Sequence, residues 1–210
     1  MFVGRKVVVA ALALVIAGGT GYYLYAAKQK REQQRRVAEL LADTTTLLRK
    51  ALSAPPAAEA LGRIEGNLKA AKGPGDRALA AAVEDYIHGA REIVRHRGDA
   101  ERLTREAAMS RRALSMHMGA AAGRDTYWIR IATDLKKRVE RDHFELDTSL
   151  KAISSLLFTL PESRQRLAPL VDASLLLEES ERRAARERVE QNAKRAHDEL
   201  EKVRRLALPR

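Results

Sequence analysis

There is no cysteine in the 210 residues. That excludes disulfides, thiolate metal sites, a cysteine nucleophile and a lipid-modified cysteine, without choosing between reducing and oxidising compartments. Aromatics make up 4% of the chain and prolines number six. No stretch alternates apolar and polar residues as a half-buried strand would, and no repeat of fixed period is present. The five histidines are scattered and form no His-x-x-x-His pair. No serine sits in a strand–turn–helix nucleophile context, and no glycine-rich loop matches a phosphate cradle. The letters His-Asp-Glu-Leu at 197–200 are internal and cannot act as a C-terminal retrieval signal.

What is abundant is Ala, Leu, Arg and Glu, all strong helix formers, with charged residues at 32%. These features predict an all-α chain. The expected form is one N-terminal transmembrane helix, then a helical bundle or coiled-coil-like domain with long C-terminal helices. The segments expected are a basic tail 1–6, an anchor 7–27, a basic collar and amphipathic helix 28–53, a bundle 54–160 and a charged amphipathic helix 161–210.

The anchor reads VVVAALALVIAGGTGYYLYAA and contains no charge. Its 21 residues suffice to cross about 30 Å of hydrocarbon at 1.5 Å per residue. Tyr22, Tyr23 and Tyr25 lie at one end, where amphipathic rings favour headgroups. The rival reading is a signal peptide with apolar core Val7–Ile16 and cleavage after the small residues 17–19. Lys28, Lys30, Arg31, Arg35 and Arg36 follow the anchor and are placed to contact lipid headgroups. They lean the topology towards a cytoplasmic C-terminal domain on a single-pass inner-membrane protein, although a short basic tail before an apolar run also begins exported domains. Ala13, Ala17 and Gly21 recur every fourth residue and offer a small-residue face for helix packing and a homodimer.

The net charge of +11 resembles a nucleic-acid signature until it is located. Residues 1–36 hold seven Lys/Arg against one Glu, beside the membrane segment. A second basic zone, 91–141, carries Tyr127 and Trp128 but is interrupted by seven acidic residues. Phosphate contact with base stacking is conceivable there; an acidic protein or lipid surface suits the interleaved acids better.

Seam residues Val37, Leu40, Leu41, Leu47, Leu48 and Leu52 continue the first helix to about Ser53, where Pro55 and Pro56 stop it. A short helix carries Leu61, Ile64 and Leu68. Gly73-Pro74-Gly75 predicts a turn, and Asp76 a cap for a helix through Val94. Gly98-Asp99 predicts a stop and a fresh cap. The next helix reaches His117, and the Gly119–Gly123 run breaks it or permits close packing. A long helix through Leu135, Leu146 and Leu157 is expected to end at Pro161, and a last one to start near Glu162 or Pro169.

Two constellations carry possible chemistry. Met109, Met116, His117 and Met118 combine thioethers and imidazole, which suits Cu(I); flexible core packing beside a glycine-rich kink explains them as well. Glu140 and His143 have the Glu-x-x-His spacing of di-iron bundles, but another pair, Glu84 and His88, is spaced differently. No cofactor is expected. The functional expectation is a membrane-anchored, non-enzymatic scaffold or adaptor that docks protein partners by helix packing. The alternative is a bundle sensing a small ligand or metal near Met116–Trp128, with a nucleic-acid-binding or di-iron protein behind both.

Overall fold

The computed structural model describes residues 3–72, 77–119 and 126–206, with side chains from residue 25 onward. They form an all-α bundle of five helices: α1 Val3–Ser53, α2 Ala58–Ala71, α3 Arg77–Gly119, α4 Thr126–Leu167 and α5 Glu179–Arg204. One 3-10 turn, Ala173–Leu175, lies between α4 and α5, and no strand occurs among the described residues. Residues 73–76, where a turn and a cap are expected, and residues 120–125 lie outside them.

Helix α1 is unbroken over 51 residues. Residues 25–36 are exposed all round, as their charge dictates. From Val37 the apolar seam turns inward, and Leu41 and Leu48 are fully buried. Among the described residues no helix is long and apolar enough to cross a membrane. Most of the run expected to do so, 7–27, falls on residues 3–24, whose side chains lie outside those described, as do those of Ala13, Ala17 and Gly21.

Helix α2 packs antiparallel to α3. Lys72 pairs with Glu84 at 3.4 Å and Glu65 with Arg91 at 2.8 Å. A Cβ on Gly98 would meet Pro56 at 3.8 Å. Contrary to the sequence expectation, α3 runs straight through Gly98-Asp99. One helical glycine costs about 1 kcal/mol, whereas burying Leu103 together with Ala100 returns more than that. Asp99 directs its carboxylate to Arg95 and Arg102, each at 3.6 Å, rather than to a cap.

Helix α4 is equally persistent and continues past Pro161 to Leu167, correcting the expected end at that proline. Proline lacks the N–H that would serve the carbonyl four residues back, that of Leu157. Arg182 of α5 supplies the missing donor, its Nη1 donating to Leu157 O at 2.8 Å. The last helix does not start near Glu162 or Pro169, as expected; residues 162–167 finish α4, and an irregular strap, 168–178, follows. Leu176 and Leu177 plug the core. Leu177 N–H donates to Tyr86 Oη at 2.9 Å. Tyr86 Oη lies 2.9 Å from Thr45 Oγ1, which donates to Leu175 O at 2.7 Å. Because Thr45 uses its proton on Leu175, Tyr86 is the donor to Thr45, and the relay leaves no group unmet. Helix α5 then starts at Glu179, where Glu181 accepts the Glu178 N–H at 3.1 Å and Arg49 Nε at 3.0 Å.

Two ends result. At the proximal end α1, α2, the strap, the first half of α5 and the facing halves of α3 and α4 enclose one apolar core that includes Ile64, Tyr86, Ile93, Ile153, Leu157, Leu167 and Ala185. Beyond the level of Gly98, only α3, α4 and α5 continue as an antiparallel three-helix coil.

Candidate functional site

The distal coil departs from its own apolar rule midway along α4. Its seam passes from Val139 to Leu146 through Asp142 and His143, then reaches Asp147 before Leu150. All three polar residues are buried, and Ser110 of α3 is buried opposite them. Ser110 Oγ donates to Asp142 Oδ2 at 2.6 Å. Asp147 Oδ2 accepts Lys151 Nζ at 2.6 Å, and His197 Nδ1 of α5 stands 3.9 Å away. Arg111 of α3 pairs with Glu199 of α5 across the same level. Between these groups His143 has no hydrogen bond to either ring nitrogen, and Asp147 Oδ1 has none.

Burial dominates the electrostatics here. It holds the His143 imidazole below its ordinary value, with Arg111 adding to the effect and Glu199 and Asp142 opposing it. Glu199 is held low mainly by the hydrogen bond from Lys202, with Arg111 contributing. The layer is a neutral imidazole among paired carboxylates. Among the described residues no three His, Asp or Glu are grouped to hold a metal. Glu140 faces Lys136 at 3.8 Å instead of joining His143. Buried polar layers of this kind fix the register of packed helices at a cost in stability.

The methionine–histidine candidates are not gathered. Met109 lines a groove with Glu106, Leu135 and Arg138. Met116 lies on a different groove with Ala108, Arg112 and His143. Met118 packs on the small cluster of Leu114, Val139 and Val203. His117 stacks on Trp128 with centroids 4.8 Å apart, and its Nε2 lies 3.0 Å from the Trp128 carbonyl. That stack closes the α3–α4 hairpin, with Trp128 buried.

The basic zone 91–141 is only partly paired. Arg91, Arg95, Arg102, Arg111 and Arg141 each meet a carboxylate. Lys136 donates to the carbonyls of Arg204 and Leu206 at the end of α5. In the collar, Arg35 pairs with Glu39 at 2.9 Å. Lys28, Lys30, Arg31 and Arg36 are exposed.

The polar layer itself was open to sequence reasoning only as a gap. Between Leu135 and Leu146 the seam offers Val139 alone, and Arg-Asp-His-Phe occupies the turn where an apolar residue is due. Which carboxylates sit inside depends on the rotation of α4 against α3 and α5. Comparison with protein-family models, curated proteins and solved structures finds no match to this chain, so its reading rests on its own residues.

Proposed function

We propose that the chain is a non-enzymatic scaffold, held at the inner membrane by a single pass over 7–27, that docks protein partners by helix packing. The observation that carries this reading is the continuity of α1. The helix that bears the apolar run is the one whose residues 37–51 line the bundle core. Anchor and bundle then form one stiff lever, with an exposed charged stem from 25 to 36. Lys28, Lys30, Arg31 and Arg36 are positioned for anionic headgroups, each contributing about 1 kcal/mol near such a surface. Ala13, Ala17 and Gly21 would pair two anchors in a homodimer. The excess of basic residues after the anchor favours a cytoplasmic bundle.

The test is alkaline extraction of membranes together with a topology reporter fused at Arg210. The full chain is expected to stay in the pellet, and a chain lacking residues 1–27 to be released. A full chain found in the supernatant, or a mature N-terminus near Thr20 by mass spectrometry, would sink the anchor. Photo-crosslinkers on the distal coil are expected to capture discrete partner bands in intact membranes.

The pocket-sensor alternative near Met116–Trp128 has less support, because the imidazole it would use is engaged by the Trp128 ring and carbonyl.

A further inference from the structure

Helix α3 presents one stripe along its whole length, and only half of it is covered. Over the first half, Ile87 and Val94 are buried, and Arg91 reaches Glu65 of α2. The seven-residue equivalents of Arg91 are Gly98, which abuts Pro56, and then Arg105 and Arg112. Those of Ile87 and Val94 are the half-buried Glu101, next to the level of Gly98, and then Ala108 and Ser115. Because α2 starts at Ala58, level with Gly98, nothing follows it along the stripe, and Thr104, Arg105, Ala108, Arg112 and Ser115 are all exposed.

This uncovered stretch is a groove of about 450 Å³ whose floor includes Ala107, Leu146 and the buried His143. Met116, which is 67% exposed, closes one end. Arg105 and Arg112 stand about 10 Å apart along the helix, two turns of rise. Neither makes an ion pair among the described residues, whereas most arginines nearby do. Small side chains on the stripe let a helix backbone approach closely, and two free guanidinium groups, Arg112 lining the groove and Arg105 beyond it on the stripe, select carboxylates.

We propose that this face docks an acidic amphipathic helix of a partner protein, laid end to end with α2 in the slot that α2 leaves empty. The chain's own α2 is the template: an acidic side chain at the position of Glu65 meets the arginine of the stripe. A bound helix carrying carboxylates seven residues apart would meet Arg105 and Arg112 in the same way. The proposal rests on the scaffold reading and names the chemistry of its partner.

The test uses the full chain in detergent micelles and two fluorescein-labelled synthetic helices. One carries Ala and Leu on one face, flanked by glutamates seven residues apart; its twin has lysine at each glutamate. Anisotropy titrations are expected to show binding of the acidic helix only. Arg105→Glu with Arg112→Glu should weaken it by about tenfold or more and admit the lysine twin. Ala108→Trp should block both by filling the groove, with far-UV circular dichroism unchanged. Absence of binding to the wild-type chain overturns the proposal. So does an equal loss with Lys137→Glu and Arg138→Glu, which alters net charge elsewhere. Equally tight binding of a DNA duplex overturns it, as does a wild-type dimer that the Arg105/Arg112 reversal dissociates, since the face would then belong to a second copy. The titration needs no membrane, so its failure and that of the anchor are read separately.

Discussion

The proximal and distal ends of this bundle share three helices and differ in what they bury. Proximally the fully buried side chains are large: Leu41, Leu48, Ile64, Tyr86, Ile87, Ile93, Ile153, Leu157, Leu167, Leu176 and Leu177. Distally the buried Leu103, Leu114, Trp128, Val139, Leu146, Leu200 and Val203 are diluted by Ala107, Ala193 and Ala196 and by the polar set Ser110, Asp142, His143 and Asp147. A buried Leu or Ile stabilises by about 1.5–3 kcal/mol and an alanine by far less. Buried polar groups without partners subtract from that. The proximal end therefore carries the fold, and the distal end is held by register and by hairpin closure at His117–Trp128. Surfaces that bind and rearrange are drawn from the weaker parts of a structure, which suits the docking proposed for the distal coil.

The sharpest break in this contrast is a matched truncation. Leu48→Ala is expected to cost about 2–5 kcal/mol in chemical denaturation, with global loss of helix. Leu114→Ala should cost about 2 kcal/mol or less, and hydrogen exchange should show the loss confined to residues 100–119, 130–150 and 190–204. Equal global effects would abolish the distinction between the ends.

The strap offers a second test, on hydrogen bonds. Tyr86→Phe removes the hydroxyl between Leu177 N–H and Thr45, and should cost about 1–3 kcal/mol by leaving buried groups unmet. Arg182→Ala orphans the Leu157 carbonyl and should cost about 1–2 kcal/mol. In a Pro161→Ala background that loss should shrink, because the substitution restores the backbone N–H that proline lacks. An additive double-mutant cycle would mean that Arg182 acts through Glu179 alone, to which it is also bonded.

The smallest effect sharpens the contrast by pH. His143 titrates below its ordinary value when folded, chiefly through burial. Between the folded value and about 6.5, the unfolded chain binds a proton that the folded chain does not. Stability should therefore fall as pH drops below about 6.5 and level off once the folded imidazole also protonates. Hydrogen exchange in the distal coil should quicken at mildly acidic pH while proximal protection persists. His143→Leu should remove that acid-sensitive component. A pH response unchanged in this variant would assign it to another group, such as His96, which burial and Arg95 also hold low.

Much of the architecture was legible because helices are written locally. The seam of α1, the stop at Pro55-Pro56, the α2 seam and the buried positions Val83, Ile87, Ala90 and Val94 all follow from period and punctuation. The errors fell where tertiary contacts outweigh punctuation. Gly98 does not end α3 because burial on both sides outweighs one glycine. Pro161 does not end α4 because a side chain from another helix replaces its missing donor. The strap at 168–178 differs from the helix expected there because its two core leucines, Leu176 and Leu177, serve as plugs rather than as a periodic face. Of the candidate residues, Met109, Met116 and Met118 are near in sequence but point to separate surfaces, a fact set by the rotation of α3 in the bundle.

By itself the sequence determined the helical class, the apolar run with its basic collar, and the charge that is placed beside that run. Those are properties of single segments, carried by composition and by a 3.6-residue period. Only the tertiary structure decided which carboxylates are buried, which arginines are already paired, and that α2 stops halfway along α3. These depend on how far one helix extends beside another and at what rotation, and no single segment encodes either.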